Sequence, residues 1–492
     1  MPDWNRRAVL ATGAALSTPG ILASIGSTVA EEDTASSGTS TGDPPGWSSV
    51  YGNAANSRYL PLDDGFPEPN TIAWRSDTLR GGSNDGDIAV VDGRIYLVGE
   101  FESTDYEQTE LRVASADDGT LEWKTEVTGR QRPTVADGTV YVSGTDRVTA
   151  FDTADGSFQW EREFDPELWI SNATAADGVI YVVADGSRFN ADATLYALDG
   201  DDGSTRWKRE QVEARQENRE TADPAPVGFK TAPVAVVNGS VYAITGGGEF
   251  KGTGSKAGIQ WDGGVTELDA KTGEKQWGIV LEDGAFEKLI ATEAFVCVQN
   301  KVDGLEETVL DSETGETVQT SKSTRTATAD VRVTHDTIRP GSGPITVSTY
   351  GSEESWTASD IYYFPPLIVG DTLIATRTSE VVGFDLESGT ETWSWEVDGS
   401  PHALAGVDEN TLYFRLYHND APDELIALRA SGDQGEGREG DEQEDDQCEE
   451  QEDDGQDEQE DDQCEEQEDD VQDETEPDDE TEDGSDESDS DC

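Results

Sequence analysis

The sequence predicts an all-β fold, an eight-bladed β-propeller, from a recurring hairpin, a recurring phrase and their spacing. The hairpin is an apolar pair, an Asp-Gly or Asn-Gly turn, then alternating Val or Ile and Tyr, as in "VADGTVYVS" at 135–143. Both turn residues can adopt positive φ, which suits tight hairpins. Clear copies begin at residues 90, 135, 175 and 236, and weaker copies at 291, 333, 368 and 406.

A second phrase, A-x-D-x-x-x-G-x-x-x-W, follows the hairpins, as in Ala150, Asp152, Gly156 and Trp160, with Gln319 in one tryptophan slot. The Asp and Gly are expected to form the turn between the third and fourth strands of a blade. The indole is expected to bury its ring against the neighbouring blade. We therefore predict a structural, blade-docking role for Trp74, Trp123, Trp160, Trp207, Trp277, Trp356 and Trp393.

Spacing sets the number of blades. Successive tryptophan slots lie 37, 47, 70, 42, 37 and 37 residues apart, and a repeat of roughly 40 residues with four strands is typical of a propeller blade. The last hairpin leads only to "ELIALRA" at 424–430, without a fourth strand. The stretch "TIAWRSD" at 71–77 is expected to supply it and close the ring. Seven blades is the alternative, because the copy at 331–356 is degenerate.

Charge distinguishes the body from the C-terminal tail. The 492 residues carry a formal charge of −74, and residues 431–492 hold 35 Asp and Glu with one Arg. This tail is predicted to be disordered and to bind divalent cations weakly and nonspecifically, because it cannot bury enough apolar surface to fold. The acidic body is typical of halophilic, haloarchaeal-like proteins in molar salt, and it argues against nucleic-acid binding.

The first 30 residues resemble a twin-arginine signal peptide. Arg6 and Arg7 precede a weakly apolar run, and "TVA" at 28–30 is a plausible cleavage site. Residues 31–45 are expected to be a flexible linker and residues 46–430 the propeller. We therefore expect a secreted or cell-surface protein, with no membrane span in the mature chain.

The residues nominate no catalytic, cofactor-binding or metal-binding set. The three histidines are scattered, and acids are too abundant for one to be identified as a catalytic base. No C-x-x-C, C-x-x-C-H or adjacent cysteine pair occurs. The cysteines are Cys297, Cys448, Cys464 and Cys492.

The fourth repeat is the longest, and its extra length is the candidate binding region. Residues 209–230 are predicted to form a short charged helix and a Pro-rich turn, and residues 246–264 a glycine-rich loop between strands. Functional loops on a rigid scaffold are common, although a solvated insertion is the alternative. The candidate ligand- or partner-binding residues are Lys230, Phe250, Lys251, Lys256 and Trp261.

The repeat phrase and the segment "WSSVYGNAANSRYLP" at 47–61 resemble the pyrroloquinoline-quinone (PQQ)-type, quinoprotein-like β-propellers over about residues 47–430. That superfamily includes quinoprotein dehydrogenases and a cofactor-free outer-membrane assembly lipoprotein of bacteria. Its alcohol dehydrogenases stack the quinone on a disulfide between adjacent cysteines, which this sequence lacks. The resemblance therefore implies a non-catalytic scaffold that binds a protein or cell-surface component, with no cofactor. A PQQ-dependent oxidoreductase is the alternative.

Overall fold

The computed structural model describes most of residues 46–430. These residues belong to one compact unit, and the second unit, residues 434–492, lies outside the described part, as do the predicted signal peptide and linker. The gaps within the described part are residues 50, 80–87, 100–108, 129–131, 166–169, 185, 187–191, 218–222, 252–257, 282–285, 301–305, 323, 336–341, 353 and 419–422.

The described residues form β-strands in seven sheets and contain no helix. Sheet 1 contains β3 (Ala89–Val91), β4 (Arg94–Gly99), β5 (Thr109–Ser115) and β6 (Leu121–Val127). Sheet 2 contains β7 (Pro133–Ala136), β8 (Thr139–Ser143), β9 (Arg147–Asp152) and β10 (Phe158–Glu163). Sheet 3 contains β11 (Thr174–Ala176), β12 (Val179–Ala184), β13 (Thr194–Asp199) and β14 (Thr205–Arg209).

Sheet 4 contains β15 (Gln211–Gln216), β16 (Ala225–Gly228), β17 (Ala235–Val237), β18 (Ser240–Lys251), β19 (Gly258–Asp269) and β20 (Lys275–Leu281). Sheet 5 contains β21 (Phe286–Ala291), β22 (Phe295–Asn300), β23 (Glu306–Asp311) and β24 (Thr317–Lys322). Sheet 6 contains β25 (Thr324–Ala327), β26 (Val331–His335), β27 (Ser342–Thr349), β28 (Ser355–Val369), β29 (Thr372–Thr376), β30 (Glu380–Asp385), β31 (Glu391–Glu396) and β1 (Tyr59–Leu60). Sheet 7 contains β2 (Thr71–Ser76), β32 (Ser400–Val407), β33 (Thr411–Tyr417) and β34 (Glu424–Arg429).

The inner strands of the sheets meet around a common axis. Strands β3, β7, β11, β17, β21 and β25 contact one another in that order, β28 contacts β32, and β32 contacts β3. Strand β28 serves two repeats, because its first half is the outer strand of one and its second half the inner strand of the next. Sheets arranged radially with their first strands at the centre form a β-propeller.

The two ends of the described chain meet in sheet 7. Strand β2 pairs antiparallel with β34, with Trp74 opposite Ala427, as the sequence predicts. This pairing covers the edge that β34 would otherwise expose. Because the fourth strand comes from the other end of the chain, sheet 7 has no turn after its third strand.

The four clear hairpin turns have the conformation that their sequence requires. Asp92, Asp137, Asp177 and Asn238 have φ between 49° and 51°, and the glycine after each has φ between 65° and 78°. Two consecutive residues with positive φ give a type I′ turn, whose twist matches that of the flanking strands. The Asp-Gly and Asn-Gly pairs therefore determine the conformation of these hairpin turns.

Two expectations for the fourth repeat were wrong. Residues 209–230 contain no helix among those described, because β15 and β16 form a hairpin and β15 runs parallel to β20. Val212 and Ala214 are buried while their neighbours are exposed, a period of two that indicates a strand. Residues 246–264 are largely strand rather than loop, because β18 and β19 stay paired from Gly246 opposite Gly263 to Lys251 opposite Gly258.

Among the described residues no helix is long and apolar enough to cross a membrane.

Candidate functional site: the axial segment and the extension of sheet 4

The predicted docking tryptophans lie in the seams between sheets. In six of them the indole N–H donates a hydrogen bond of 2.8–3.1 Å to a backbone carbonyl in the next turn. These hydrogen bonds hold neighbouring repeats together. They also pack the indole rings inside the seams, where a ligand could not stack on them. The pairs are Trp74–Ala116, Trp123–Thr153, Trp160–Gly200, Trp207–Ala270, Trp277–Ser312 and Trp356–Leu386.

Trp393, the seventh, is buried differently. It faces sheet 7, which lacks the turn that would supply a carbonyl, and its buried N–H has no partner among the described residues. Phe66 takes the place of the missing turn, with its ring centroid 6.0 Å from that of Trp393. The N-terminal segment therefore fills the closing seam as well as completing sheet 7.

Residues 46–60, the axial segment, run along the inner strands of the propeller. Residue 50 is the one member of this segment outside the described residues. The backbone of the axial segment makes hydrogen bonds of 2.7–3.1 Å to the inner edges of sheets 1, 2, 4 and 5, and to two strands of sheet 6. The bonded pairs follow the chain in order: Trp47–Val90, Ser48–Val135, Ala54–Val236, Ala55–Ala291, Ser57–Ala327 and Arg58–Ile368.

Buried polar side chains fix this segment. The guanidinium of Arg58 lies 5.4 Å from the ring centre of Trp47 and donates 3.1 Å to the carbonyl of Pro366 and 2.9 Å to that of Leu404, which belongs to sheet 7. Arg58 adopts φ of 53°, an uncommon conformation for a residue with a side chain, and these contacts offset its cost.

Asn56 plays the same role on the opposite side of the segment. Its Nδ2 donates 3.1 Å to the carbonyl of Val234 and 3.3 Å to that of Leu289, which links sheets 4 and 5. Asn56 and Arg58 lie in the segment at 47–61 that resembles the PQQ-type propellers, and no role was predicted for either residue. Two polar residues inside a short apolar stretch were the available signal, and both proved to be buried.

The residues of this propeller do not fit a bound pyrroloquinoline quinone. The inner edges of sheets 1, 2, 4, 5 and 6, which would surround a ligand on the axis, are bonded to the chain's own axial segment. The chain has no adjacent cysteine pair, and the described Cys297 is buried, which raises the pKa of its thiol. In the described part no group of three or more His, Cys, Asp or Glu is placed to hold a metal ion.

The extension of sheet 4, residues 240–269, carries most of the predicted binding residues. In the register of β18 and β19, Trp261 lies opposite Gly248, Phe250 opposite Ile259, and Lys251 opposite Gly258 at the far end of the paired strands. Lys256 lies outside the described residues.

Lys230 lies at the base of this hairpin. Its backbone amide donates 3.0 Å to Ile244, and its Nζ donates to the carbonyl of Phe286 in sheet 5. Lys230 is therefore engaged between sheets 4 and 5, whereas the backbones of Phe250 and Lys251 lie toward the other end of β18. The structure brings three of the five predicted residues to one hairpin and leaves Lys230 away from its end.

The comparisons with known proteins agree on the fold. A family described as outer membrane protein assembly factor BamB has a model that matches residues 67–321. Quinohemoprotein alcohol dehydrogenase from Comamonas testosteroni is similar with a TM-score of 0.52, at 12% identity over 78% of this chain and 80% of that chain. A europium-containing methanol dehydrogenase has a TM-score of 0.53, at 12% identity over 79% and 98%.

BamB from Moraxella catarrhalis covers 73% of this chain and 99% of its own, at 14% identity and a TM-score of 0.35. No curated protein matches the chain by sequence. Likenesses at these identities concern the fold, because one fold supports many unrelated functions.

Proposed function

The chain belongs to the family of outer membrane protein assembly factor BamB, and from this we propose that it is an exported, non-catalytic propeller of eight blades. In this proposal it binds a protein or another surface component as a scaffold at the cell surface or envelope. It uses no cofactor and carries no catalytic residue. The acidic tail contributes solubility and weak, nonspecific binding of divalent cations.

The observation that carries the proposal is the axial segment. Ligands of propellers and barrels commonly bind where strands converge on a central channel. Here residues 46–60 occupy that position. Their backbone makes hydrogen bonds to five sheets, and the side chain of Arg58 makes one to a sixth. Binding to a large partner then has to use the faces of the ring or the extension of sheet 4, which suits a scaffold.

The alternative, a PQQ-dependent oxidoreductase, is favoured only by the likeness in fold to the two dehydrogenases. The decisive measurement is the absorption spectrum and dye-coupled alcohol oxidation of the purified chain in high salt, with added quinone and Ca²⁺. We expect no bound quinone after gel filtration and no turnover. A stoichiometric quinone with alcohol-dependent dye reduction would replace the scaffold proposal with the enzyme.

The partner site is tested by removing the end of the sheet 4 extension. Replacing residues 247–262 with Asn-Gly joins Gly246 to Gly263, which already face each other, through a two-residue turn. In the intact chain, a photo-crosslinking residue at position 251 is expected to capture one defined envelope component. A crosslinking residue at position 94, on the hairpin of sheet 1, is the matched control and should not capture it.

The shortened chain should lose that partner in co-purification and keep the melting temperature of the parent. Equal capture from positions 94 and 251, or partner binding that survives the shortening, would move the site away from this extension.

Export is tested separately, because changing Arg6 and Arg7 to Lys should leave the folded protein inside the cell if the twin-arginine route carries it.

A further inference from the structure

The chain contains two Asn-x-Ser/Thr motifs, at residues 172–174 and 238–240. In an exported protein this motif is the acceptor for N-linked saccharides, which are joined to the asparagine Nδ2 by a transferase that also contacts the hydroxyl two residues on. A motif this short also occurs by chance, so the structure around it has to show an accessible surface position. The two copies differ in this respect.

The copy at 172–174 is enclosed between sheets. Ala173 and Thr174 are only 4% and 5% exposed, and Oδ1 of Asn172 is buried. The hydroxyl of Thr174 donates 2.9 Å to the carbonyl of Val234, and the Ala173 amide donates 3.0 Å to Oγ of Ser143 in sheet 2. A transferase cannot contact this threonine hydroxyl in the folded chain, because the neighbouring sheets cover it.

The copy at 238–240 lies at the tip of the hairpin that joins β17 to β18. Asn238 and Gly239 are exposed, and no described atom lies within 4 Å of the Cβ position of Gly239. Asn238 Nδ2 donates 2.9 Å to the exposed Glu293, and Oγ of the half-buried Ser240 donates 2.5 Å to Glu267. Neither bond belongs to the β-ladder, so a transferase can replace both without unpairing β17 and β18.

The other clear hairpins show that this turn does not need an asparagine. Aspartate stands at the same position in three of them and adopts φ of 49–51°, against 49° for Asn238; these residues are Asp92, Asp137 and Asp177. A chain with 107 Asp and Glu therefore has an amide at the one clear turn where a serine follows two residues later. The bond to Glu293 also requires an amide, so a test has to separate that bond from the acceptor motif.

We propose that Asn238 carries an N-linked saccharide, an inference that rests on the export in the proposed function. The donor is a saccharide activated on a lipid phosphate. Asn238 Nδ2 forms a bond to the anomeric carbon, the bond from that carbon to the phosphate oxygen breaks, the lipid phosphate leaves with the electron pair, and the amide loses one proton.

The position of this saccharide agrees with the proposed partner site. Strand β18 begins at Ser240, beside the modified turn, and ends at Lys251. A strand of this length spans roughly 35 Å. The saccharide therefore projects from the opposite end of β18 and leaves the end of the sheet 4 extension free for a partner.

Peptide mass spectrometry tests the assignment directly. The full chain is expressed in a haloarchaeal host that glycosylates its own surface proteins, and the exported protein is digested with trypsin. Cleavage after Lys and Arg separates the two motifs, because Asn238 falls in the peptide 231–251 and Asn172 in the peptide 163–188. We expect added saccharide, with sugar fragment ions, on more than about half of the first peptide and on less than about a tenth of the second.

Three variants separate the acceptor motif from the turn. Asn238→Asp matches the other clear hairpins, and Ser240→Ala keeps the bond from Asn238 to Glu293 while removing the motif. Both should be exported without the added mass. Ser240→Thr restores the motif and should keep the saccharide.

An exported chain whose peptide 231–251 is unmodified, from cells whose own surface glycoproteins are modified, would overturn this inference and leave the scaffold proposal standing. Saccharide on the peptide 163–188 in its place, or added mass that persists in Ser240→Ala, would overturn it as well. A chain that stays inside the cell would overturn the export on which both proposals rest.

Discussion

Apart from the closing seam of Trp393 and Phe66, two kinds of seam join neighbouring repeats of this propeller. In six seams an indole lies against the glycine of the next turn, and a Cβ built on that glycine would come within 2.5–2.9 Å of the ring. In the seam between sheets 5 and 6, Gln319 replaces the tryptophan, and nothing lies within 4 Å of the Cβ position of Gly351. The same ring is thus held by apolar contact in six places and by a different device in one.

That device is a buried ion pair. Arg332 Nη1 lies 3.1 Å from Oε1 of Glu307, and both side chains are almost fully buried. The backbone amide of Thr324 donates 2.6 Å to Glu307, and the side-chain amide of Gln319 faces the guanidinium of Arg332, a donor, which assigns the amide oxygen to that side. Cys297 stands where four of the regular seams have a tyrosine that packs on the tryptophan, so both members of that Tyr–Trp pair are replaced.

The difference teaches which parts of a seam are interchangeable. In four of the six regular seams the centroids of a Tyr ring and a Trp ring lie 5.8–6.1 Å apart, as in Tyr141–Trp160 and Tyr242–Trp277. In the polar seam, charge and hydrogen bonds fill the same position. A buried pair of this kind is weak evidence for added stability, because desolvation offsets much of the attraction. The polar seam is therefore expected to tolerate replacement of both partners and to fail when one is lost.

The largest effect is predicted for Arg332→Met. Removal of the guanidinium leaves Glu307 charged and buried, which should lower the free energy of unfolding by about 3–5 kcal/mol. Chemical denaturation in constant salt measures it. The double variant Arg332→Met, Glu307→Met is the control and should recover most of the loss. A double variant as unstable as the single one would show that shape, and not the charge pair, holds this seam.

The second prediction compares two turn glycines with a similar positive φ. Gly203 has φ of 68° and Gly351 has φ of 74°, but an added Cβ at Gly203 would lie 2.6 Å from Trp160. Gly203→Ala should cost about 2–3 kcal/mol, from backbone strain together with displacement of the indole. Gly351→Ala should cost about 1 kcal/mol, from backbone strain alone. Equal losses in thermal unfolding would mean that the indole contact carries no energy.

A third prediction uses alkaline pH. Burial raises the pKa of Tyr141, which packs on Trp160, from 10.0 to about 12. A raised folded-state pKa means that the stabilisation is complete below pH 10 and is lost as pH rises toward 12, by about 1–3 kcal/mol for this group. Tyr141→Phe should flatten the fall in melting temperature over that interval. An unchanged alkaline profile would show that Tyr141 is not the group that titrates.

Sequence reasoning recovered the repeated part of this molecule because each repeat carries its own local signal. The Asp-Gly turns and the glycine–indole phrase each span fewer than twelve residues. The phrase can be recognised even in the repeat where Gln319 replaces the tryptophan. The helix predicted at 209–230 was wrong because the alternation of buried and exposed residues in β15 is short. Only Val212 and Ala214 mark its buried face, and the residues around them are mostly charged. The axial segment could not be derived, because its partners are spread over more than 300 residues of chain, as Arg58 and Leu404 are, at a separation of 346.

The smallest effect is predicted for Gln319→Trp, which restores the missing member of the phrase. If the phrase alone determined a seam, this variant would be stabilised by the burial of an indole. Arg332 already occupies the seam, and Cys297 is too small to pack on the ring, so we expect a change within about 1 kcal/mol of the parent. Adding Cys297→Tyr, Arg332→Met and Glu307→Met, which supply the ring partner and remove both charges, should make the tryptophan favourable by comparison in a thermodynamic cycle between the two backgrounds. A large gain from Gln319→Trp alone, measured by thermal unfolding, would mean that the seam is open in the native protein and that the ion pair is incidental to it.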